Sequence, residues 1–281
     1  MSLIQFVVDA FTDRPFAGNP AAVIVLQKPI KESLMQRIAA ENNLSETAFV
    51  IPESNANSEQ WRIRWFTPTV EIDLCGHATL AAAWVLAHEY GGLTNTDDGS
   101  FEVVFASRSG PLSVQVSATQ ATLDFPAQAV KSCELPAAIA AGLGLQSAPC
   151  WKAQVNNGNY LVLLDSADQV RRLRPDMSAL ATVDDGGIIV TAAGESTDFV
   201  SRFFGPFYGI PEDPVTGSAH CSLATYWSQV LDKTVLTAQQ LSARGGSLRC
   251  ELQGERVLIS GCAVTLNKTE WRLSDVEMPL D

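Results

Sequence analysis

Two stretches of this chain carry side chains suited to chemistry in a shared order. One runs Asp73-Leu74-Cys75-Gly76-His77-Ala78-Thr79, the other Glu212-Asp213-Pro214-Val215-Thr216-Gly217-Ser218-Ala219-His220. Each passes from an acid through a thiol or hydroxyl to a glycine, and then into a small-residue run that opens an apolar helix pattern. A glycine at such a point lets the backbone approach a ligand, and the first N–H groups of a helix have no partner inside it. That end carries partial positive charge and suits a carboxylate or phosphate. Gly76, Ala78, Gly217 and Ser218 are therefore candidate anion-binding positions, although a glycine there also serves a plain strand-to-helix turn.

Cys75 and Thr216 occupy equivalent places before the two glycines. Two opposed thiols would read as a racemase, with acid and base on opposite faces of a carbon. A threonine hydroxyl is a poor base near neutral pH, so Cys75 reads better as a small buried hydrophobe. His77 opens its helix, where the positive end favours a neutral ring. Asp213 stands before the second helix start, and Ser218 is either a helix cap or a ligand donor. Glu46, in Leu44-Ser45-Glu46-Thr47-Ala48-Phe49-Val50, sits where a helix meets an apolar strand. It reads either as a solvated junction acid or as a proton shuttle whose neutral form is favoured by apolar surroundings. The matching junction of the second half, Val183-Asp184-Asp185-Gly186-Gly187, lacks the Ser-Glu-Thr arrangement. His88 and His220 read as structural. No HxxxH or close His/Asp spacing points to a metal.

These groups must be positioned by elements that the hydrophobic pattern outlines. Strands are expected over Leu3–Ala10, Ala22–Leu26, Thr47–Ile51, Trp61–Thr67 and Val70–Leu74, a helix over Lys31–Asn43, and a polar loop over Ser54–Glu59. A second helix is expected over His77–Tyr90, ended by Gly91-Gly92, and then a meander through Phe101–Phe105, Leu112–Val116 and Ala121–Phe125. After a crossing region with a small helix over Pro136–Gly142, the plan repeats. Strands are expected over Trp151–Val155, Tyr160–Leu164, Gly187–Thr191 and Asp198–Phe204, a helix broken at Pro175 over Ala167–Ala181, a helix over Ala219–Leu231 and a closing meander over Gly246–Arg272. Asn19 and Asn159, Pro68 and Pro206, and Gly76 and Gly217 keep nearly one offset, about half the chain. Two similar halves are expected, 1–126 and 127–281, with the tail from about 263 to 281 a candidate to pack on the first.

The 281 residues suffice for one large or two ordinary cores, and 46% hydrophobic with 18% charged residues is ordinary for a folded protein. A formal charge of −12 argues against nucleic acid. The N-terminus reads as a strand rather than a signal peptide, and no apolar run approaches the roughly 20 residues of a membrane span. Six cysteines without CxxC spacing read as free thiols of a reducing compartment, so a cytoplasmic protein is expected.

Asp9-Ala10-Phe11-Thr12 with Phe16-Ala17-Gly18-Asn19-Pro20, Asn43-Leu44-Ser45-Glu46-Thr47, Cys75-Gly76-His77-Ala78-Thr79, and Asp213-Pro214-Val215-Thr216-Gly217-Ser218-Ala219 form an ordered set. Together they resemble the PhzF-type phenazine-biosynthesis-like proteins, relatives of diaminopimelate epimerase and proline racemase. The resemblance runs from residue 3 to about 272. It implies the diaminopimelate-epimerase-like α/β fold: two pseudo-symmetric halves, each a curled, mostly antiparallel sheet around a central helix, with the active site between them. It also implies that Glu46 moves a proton between carbons of a cyclic dienyl carboxylic acid, that His77, Asp213 and Ser218 assist and bind, that no metal or organic cofactor takes part, and that the protein is a homodimer. Thr216 departs from the epimerases, which have a second cysteine there.

The expectation is thus a cofactor-independent isomerase of a small carboxylate, catalysed by Glu46, His77 and Asp213. An epimerase using Cys75 and a non-catalytic ligand-binding homologue are the alternatives.

Overall fold

A computed structural model describes residues 3–53, 60–91, 93, 96 and 99–273. The loop expected over Ser54–Glu59 and the glycine Gly92 lie outside the described residues. The chain divides into two units, Met1–Asp124 with Ser260–Asp281, and Phe125–Ile259.

The first unit opens with β1 (Leu3–Ala10), an apolar strand, and β2 (Asn19–Val25), buried almost throughout. They pair antiparallel, Ala10 facing Asn19. The turn between them depends on Asp9, whose Oδ2 accepts from Phe16 N at 2.7 Å, and on Gly18 at φ +63°. A Cβ at Gly18 would lie 2.1 Å from the carbonyl oxygen of Ala10, so only glycine fits. The crossover helix α1 (Glu32–Asn42) then returns the chain to β3 (Glu46–Pro52), which runs parallel to β2 with Ala21 opposite Glu46. β4 (Gln60–Phe66) pairs antiparallel with β3, and β5 is only Glu71–Ile72. The five-residue strand expected over Val70–Leu74 is cut short because Asp73 and Leu74 already approach the helix start.

The central helix α2 (Gly76–Val85) is apolar on nearly every side, and only Trp84 escapes full burial. A helix buried all round needs no polar face. The helix expected to reach Tyr90 ends as an α-helix at Val85 and continues as one wider π turn, Leu86–Tyr90, before Gly91 at φ +76°. The meander β6 (Phe101–Ser107), β7 (Gly110–Val116) and β8 (Ala121–Pro126) follows, with β6 parallel to β4. α1 packs on the outer face of the sheet, where Leu34, Met35 and Ile38 meet Leu3, Ile24, Phe49 and Phe66.

The second unit repeats this order of pairings. β9 (Val130–Cys133), not expected from sequence, pairs antiparallel with β10 (Cys150–Ala153), and α3 (Ala137–Leu143) lies between them in the chain. β10 pairs antiparallel with β11 (Tyr160–Leu163). The single broken helix expected next is two short ones, α4 (Ala167–Arg172) and α5 (Met177–Leu180), each capped by its own side chain, Ser166 or Asp176. β12 (Ile188–Ala193) is parallel to β11 and antiparallel to β13 (Phe199–Gly205), and β14 is Ile210–Asp213. After the buried helix α6 (Gly217–Leu231), a strand absent from the sequence reading, β15 (Val235–Gln240), runs parallel to β13. β16 (Gly246–Gln253) and β17 (Arg256–Gly261) follow, and β18 (Ala263–Trp271) pairs antiparallel with β1.

The fold is mixed α/β, with a mostly antiparallel sheet and one buried central helix in each unit. The turn at Gly18 makes a direct prediction. Gly18→Ala forces both a left-handed backbone and a backbone clash, and should cost at least about 2 kcal/mol. Thermal denaturation checks this; a melting temperature unchanged to within about a degree would contradict it.

Candidate functional site

β3, β2 and α2 of the first unit bring Glu46, Asn19, Cys75 and His77 together. Glu46 is the first residue of β3, on the same face as Ala48 and Val50. Asn19 is the first residue of β2, and His77 the second of α2. All four are buried, Glu46 to 5% exposure and His77 to 4%. His77 Nε2 lies 3.1 Å from Glu46 Oε2. The approach is off-line, so neither of these buried atoms has an aligned hydrogen bond among the described residues. On the other side of the ring, Nδ1 lies 3.1 Å from Asn19 Nδ2 and 3.5 Å from Cys75 Sγ.

The ring is thus held between an amide with a thiol and a carboxylate. With the amide nitrogen of Asn19 donating to Nδ1, the ring carries its proton on Nε2, facing Glu46. With the amide reversed, Nδ1–H donates to the amide oxygen, as an imidazolium requires. Burial opposes the charged ring, but Cys75 and Glu46 outweigh it and raise His77 well above the ordinary histidine value. Cys75 is itself buried, which pushes its thiol up to about 11, so near neutral pH the raising comes from Glu46. The neutral His77 expected from the helix start took no account of Glu46, whose carboxyl 3.1 Å away acts against the half-charge of the helix end. Cys75 is the buried thiol the sequence suggested.

Glu46, Cys75 and His77 each offer a possible metal-ligand atom within 4.8 Å of one another, a cluster that sequence spacing could not show. The thiol lies nearest Nδ1 and the carboxylate nearest Nε2, so the ring separates the two groups.

The start of α2 lies beside this cluster. Cys75 is its N-cap, in extended conformation and without a side-chain cap, so the N–H groups of Gly76, His77 and Ala78 receive no capping oxygen from it. Thr79 turns its hydroxyl back onto the Cys75 carbonyl at 2.6 Å. A cavity of about 490 Å³ elsewhere in this unit is lined by Leu26, Ile30, Met35, Phe49, Ile51 and Arg64 among others, and none of Glu46, His77, Asn19 and Cys75 lines it.

In the second unit, Asp213 ends β14 and Thr216 caps α6, again without a side-chain cap. The Thr216 hydroxyl donates to Asp213 Oδ2 at 2.5 Å. Gln240, at the end of β15 and 1% exposed, locks this turn. Its amide donates to the Asp213 carbonyl at 2.8 Å and to Thr216 Oγ1 at 3.2 Å, and its oxygen accepts from Thr216 N at 2.9 Å. Gly217 is buried and Ser218 half-buried at the helix start. His220, buried, donates from Nδ1 to the Thr216 carbonyl at 2.8 Å, and burial lowers its pKa to about 4, so the ring is neutral. Asn19 and Gln240 are the polar residues the sequence reading left out of the site. Asn19 stood in a quoted motif, whereas Gln240 lay in a strand whose polar pattern hid it.

Two predictions follow from these contacts. NMR titration of the His77 ring should find it protonated well above pH 6.5, and Glu46→Gln should lower that midpoint. Since the folded pKa is raised, the pair's contribution to stability is complete below the unfolded histidine value and lost as pH climbs through the folded one. An unchanged midpoint in the variant would contradict the pairing. Gln240→Leu strands buried backbone groups of Asp213 and Thr216 and should cost roughly 2–4 kcal/mol in denaturant unfolding; a loss below about 0.5 kcal/mol would contradict that role.

Comparison with known proteins places the chain as a whole. The family described as phenazine biosynthesis-like protein matches residues 8–269. A protein of Pseudomonas aeruginosa named an uncharacterised isomerase is 52% identical over 274 residues, 98% of this chain and 100% of its own. A crystal structure of a PhzF-family phenazine biosynthesis protein from Enterococcus faecalis is 44% identical, with a TM-score of 0.89 over 97% of this chain and 100% of that one. A hydroxyproline epimerase from Agrobacterium vitis shares the fold alone, at 9% identity and a TM-score of 0.60, covering 96% of this chain and 92% of that one.

Proposed function

This chain belongs to the phenazine biosynthesis-like PhzF family, and from that premise we propose that it is an isomerase that moves a proton within a small carboxylic acid, with Glu46 as acid and base. The observation that supports this reading most is the buried Glu46–His77 pair, 3.1 Å apart and without an aligned hydrogen bond, beside a helix start lacking a side-chain cap.

Each part has a chemical task. Removing a proton from a carbon of an unsaturated acid leaves negative charge that spreads into the carboxylate. Preorganised donors stabilise such charge best in a site that excludes water. The N–H groups of Gly76, His77 and Ala78 supply donors, and the helix end adds its partial charge. Glu46 takes the proton from one carbon and returns it to another, giving an isomer with the atoms otherwise unmoved. His77 holds the Glu46 carboxylate and adjusts its charge as the proton comes and goes. Asn19 and Cys75 fix the ring. Gly217 and Ser218, at the start of α6, are proposed to bind the anion as well, and Asp213 to assist the transfer; the matched motifs support both roles.

Racemisation through Cys75 fits less well. Its thiol is held protonated, with a pKa pushed up to about 11, and the equivalent Thr216 gives its hydroxyl proton to Asp213. No helix among the described residues is long and apolar enough to cross a membrane.

The test is a screen of small unsaturated carboxylic acids in deuterated water, read by NMR for deuterium incorporation. For any acid the wild-type protein exchanges, Glu46→Gln should reduce exchange at least about 100-fold while the acid still binds. Cys75→Ala should stay within roughly tenfold of wild type, since Asn19 still holds the ring at Nδ1 once the weak thiol contact is gone. Undiminished exchange in the Glu46 variant would refute its role, and a loss confined to the Cys75 variant would favour the epimerase. Binding without exchange in the wild type would indicate a ligand-binding homologue.

A further inference from the structure

Apart from the candidate site, two more thiols are in contact. Cys133 on β9 and Cys150 on β10 stand directly opposite each other in the antiparallel register, and their sulfurs are 3.6 Å apart. Directly opposed antiparallel residues have Cα atoms about 4.5–5.5 Å apart, within the 4.4–6.8 Å that a disulfide spans. Closing the bond therefore needs rotation of the two side chains and no change of strand register. Cys150 is 3% exposed, whereas Cys133 is only half-buried, on a strand whose neighbours Lys131 and Ser132 face solvent. Burial pushes the Cys150 thiol up to about 12, so it is the poorer first nucleophile.

We propose that Cys133 and Cys150 form a peroxide-sensitive site that closes into an intramolecular disulfide, pinning β9 to β10 across the segment that holds α3. The Cys133 sulfur attacks one oxygen of hydrogen peroxide, breaking the O–O bond and forming a sulfenic acid with release of one water. The Cys150 sulfur then attacks the Cys133 sulfur, the S–O bond breaks, and the departing hydroxide takes the Cys150 proton as a second water. Two thiols are oxidised by two electrons in all, and one peroxide is reduced to two waters. Neither cysteine belongs to the proton-transfer cluster, so the proposal stands apart from the assignment of Glu46.

The experiment uses the folded full chain, treated with a small excess of hydrogen peroxide, quenched, denatured and alkylated. The expected product is lighter than the reduced protein by two hydrogens before alkylation. Of the six cysteines, four take up the alkylating agent, and peptide mapping joins the Cys133 and Cys150 peptides. Its melting temperature should rise by several degrees, reversed by a dithiol reductant, because the cross-link closes a loop in the unfolded chain. Cys133→Ser, at the half-exposed position, should abolish the linked peptide. Cys150→Ser should leave Cys133 without a resolving partner, so that it gains two oxygens as sulfinic acid. Six alkylatable cysteines after peroxide treatment, a linked pair elsewhere, or a cross-link surviving in Cys133→Ser would overturn the proposal.

Discussion

A carboxylate and an imidazole that share a nearly dry pocket 3.1 Å apart constrain the whole first unit. Neither Glu46 nor His77 would be stable there alone, since an uncompensated buried charge costs roughly 3–5 kcal/mol when its partner is removed. The surrounding elements can be understood as devices for bringing the two together. The parallel register of β2 and β3 puts Glu46 opposite Ala21, near the strand start that carries Asn19. The turn held by Asp9 and Gly18 fixes where β2 begins, and hence where Asn19 meets the ring. The apolar helix α2, buried around nearly its whole circumference, leaves His77 no direction but the pocket.

The second unit shows what such a scaffold does without the glutamate. Its pairings follow the same order, and setting Asn159 on Asn19 places Ile189 at the position of Glu46. Ile189 is fully buried and apolar. Asn159, free of a histidine partner, instead accepts from Gly187 N at 2.8 Å and fixes the start of β12. Thr79 and His220 occupy equivalent helix positions, and both bond back to the carbonyl of the N-cap residue, Cys75 or Thr216. The helix starts are alike in backbone and unlike in chemistry. Among the described residues, the repeated scaffold thus carries the buried carboxyl–imidazole pair in the first unit and an apolar residue at the matching place in the second.

Much of this was legible in the sequence because burial and period coincide there. Leu3–Ala10, the α1 segment and the meander from Phe101 to Pro126 read correctly, since each has one strong periodicity and clear turn residues at its ends. The glycines of both helix starts, with His77 and Glu46 near them, were visible as chemistry. Elements that long-range pairing supports despite weak local pattern were not. Val235–Gln240 alternates threonine and glutamine with apolar residues, and becomes a strand because β13 and β16 flank it. Gln240 was lost with it. Val130–Cys133 has only four residues, none fully buried, and is a strand through β10. The closeness of His77 to Glu46 was not legible either, because a local rule about helix ends says nothing of a carboxyl group 31 positions earlier in the chain.

The central claim is that a small carboxylate is held at the start of α2 with its reacting carbon against Glu46. A crystal structure of the Glu46→Gln variant with an acid that the wild type exchanges tests it most directly. The account predicts carboxylate oxygens on the N–H groups of Gly76 to Ala78, and the exchangeable carbon within about 3.5 Å of the side chain at position 46. An acid bound away from that helix start, or with position 46 turned from its reacting carbon, would contradict it.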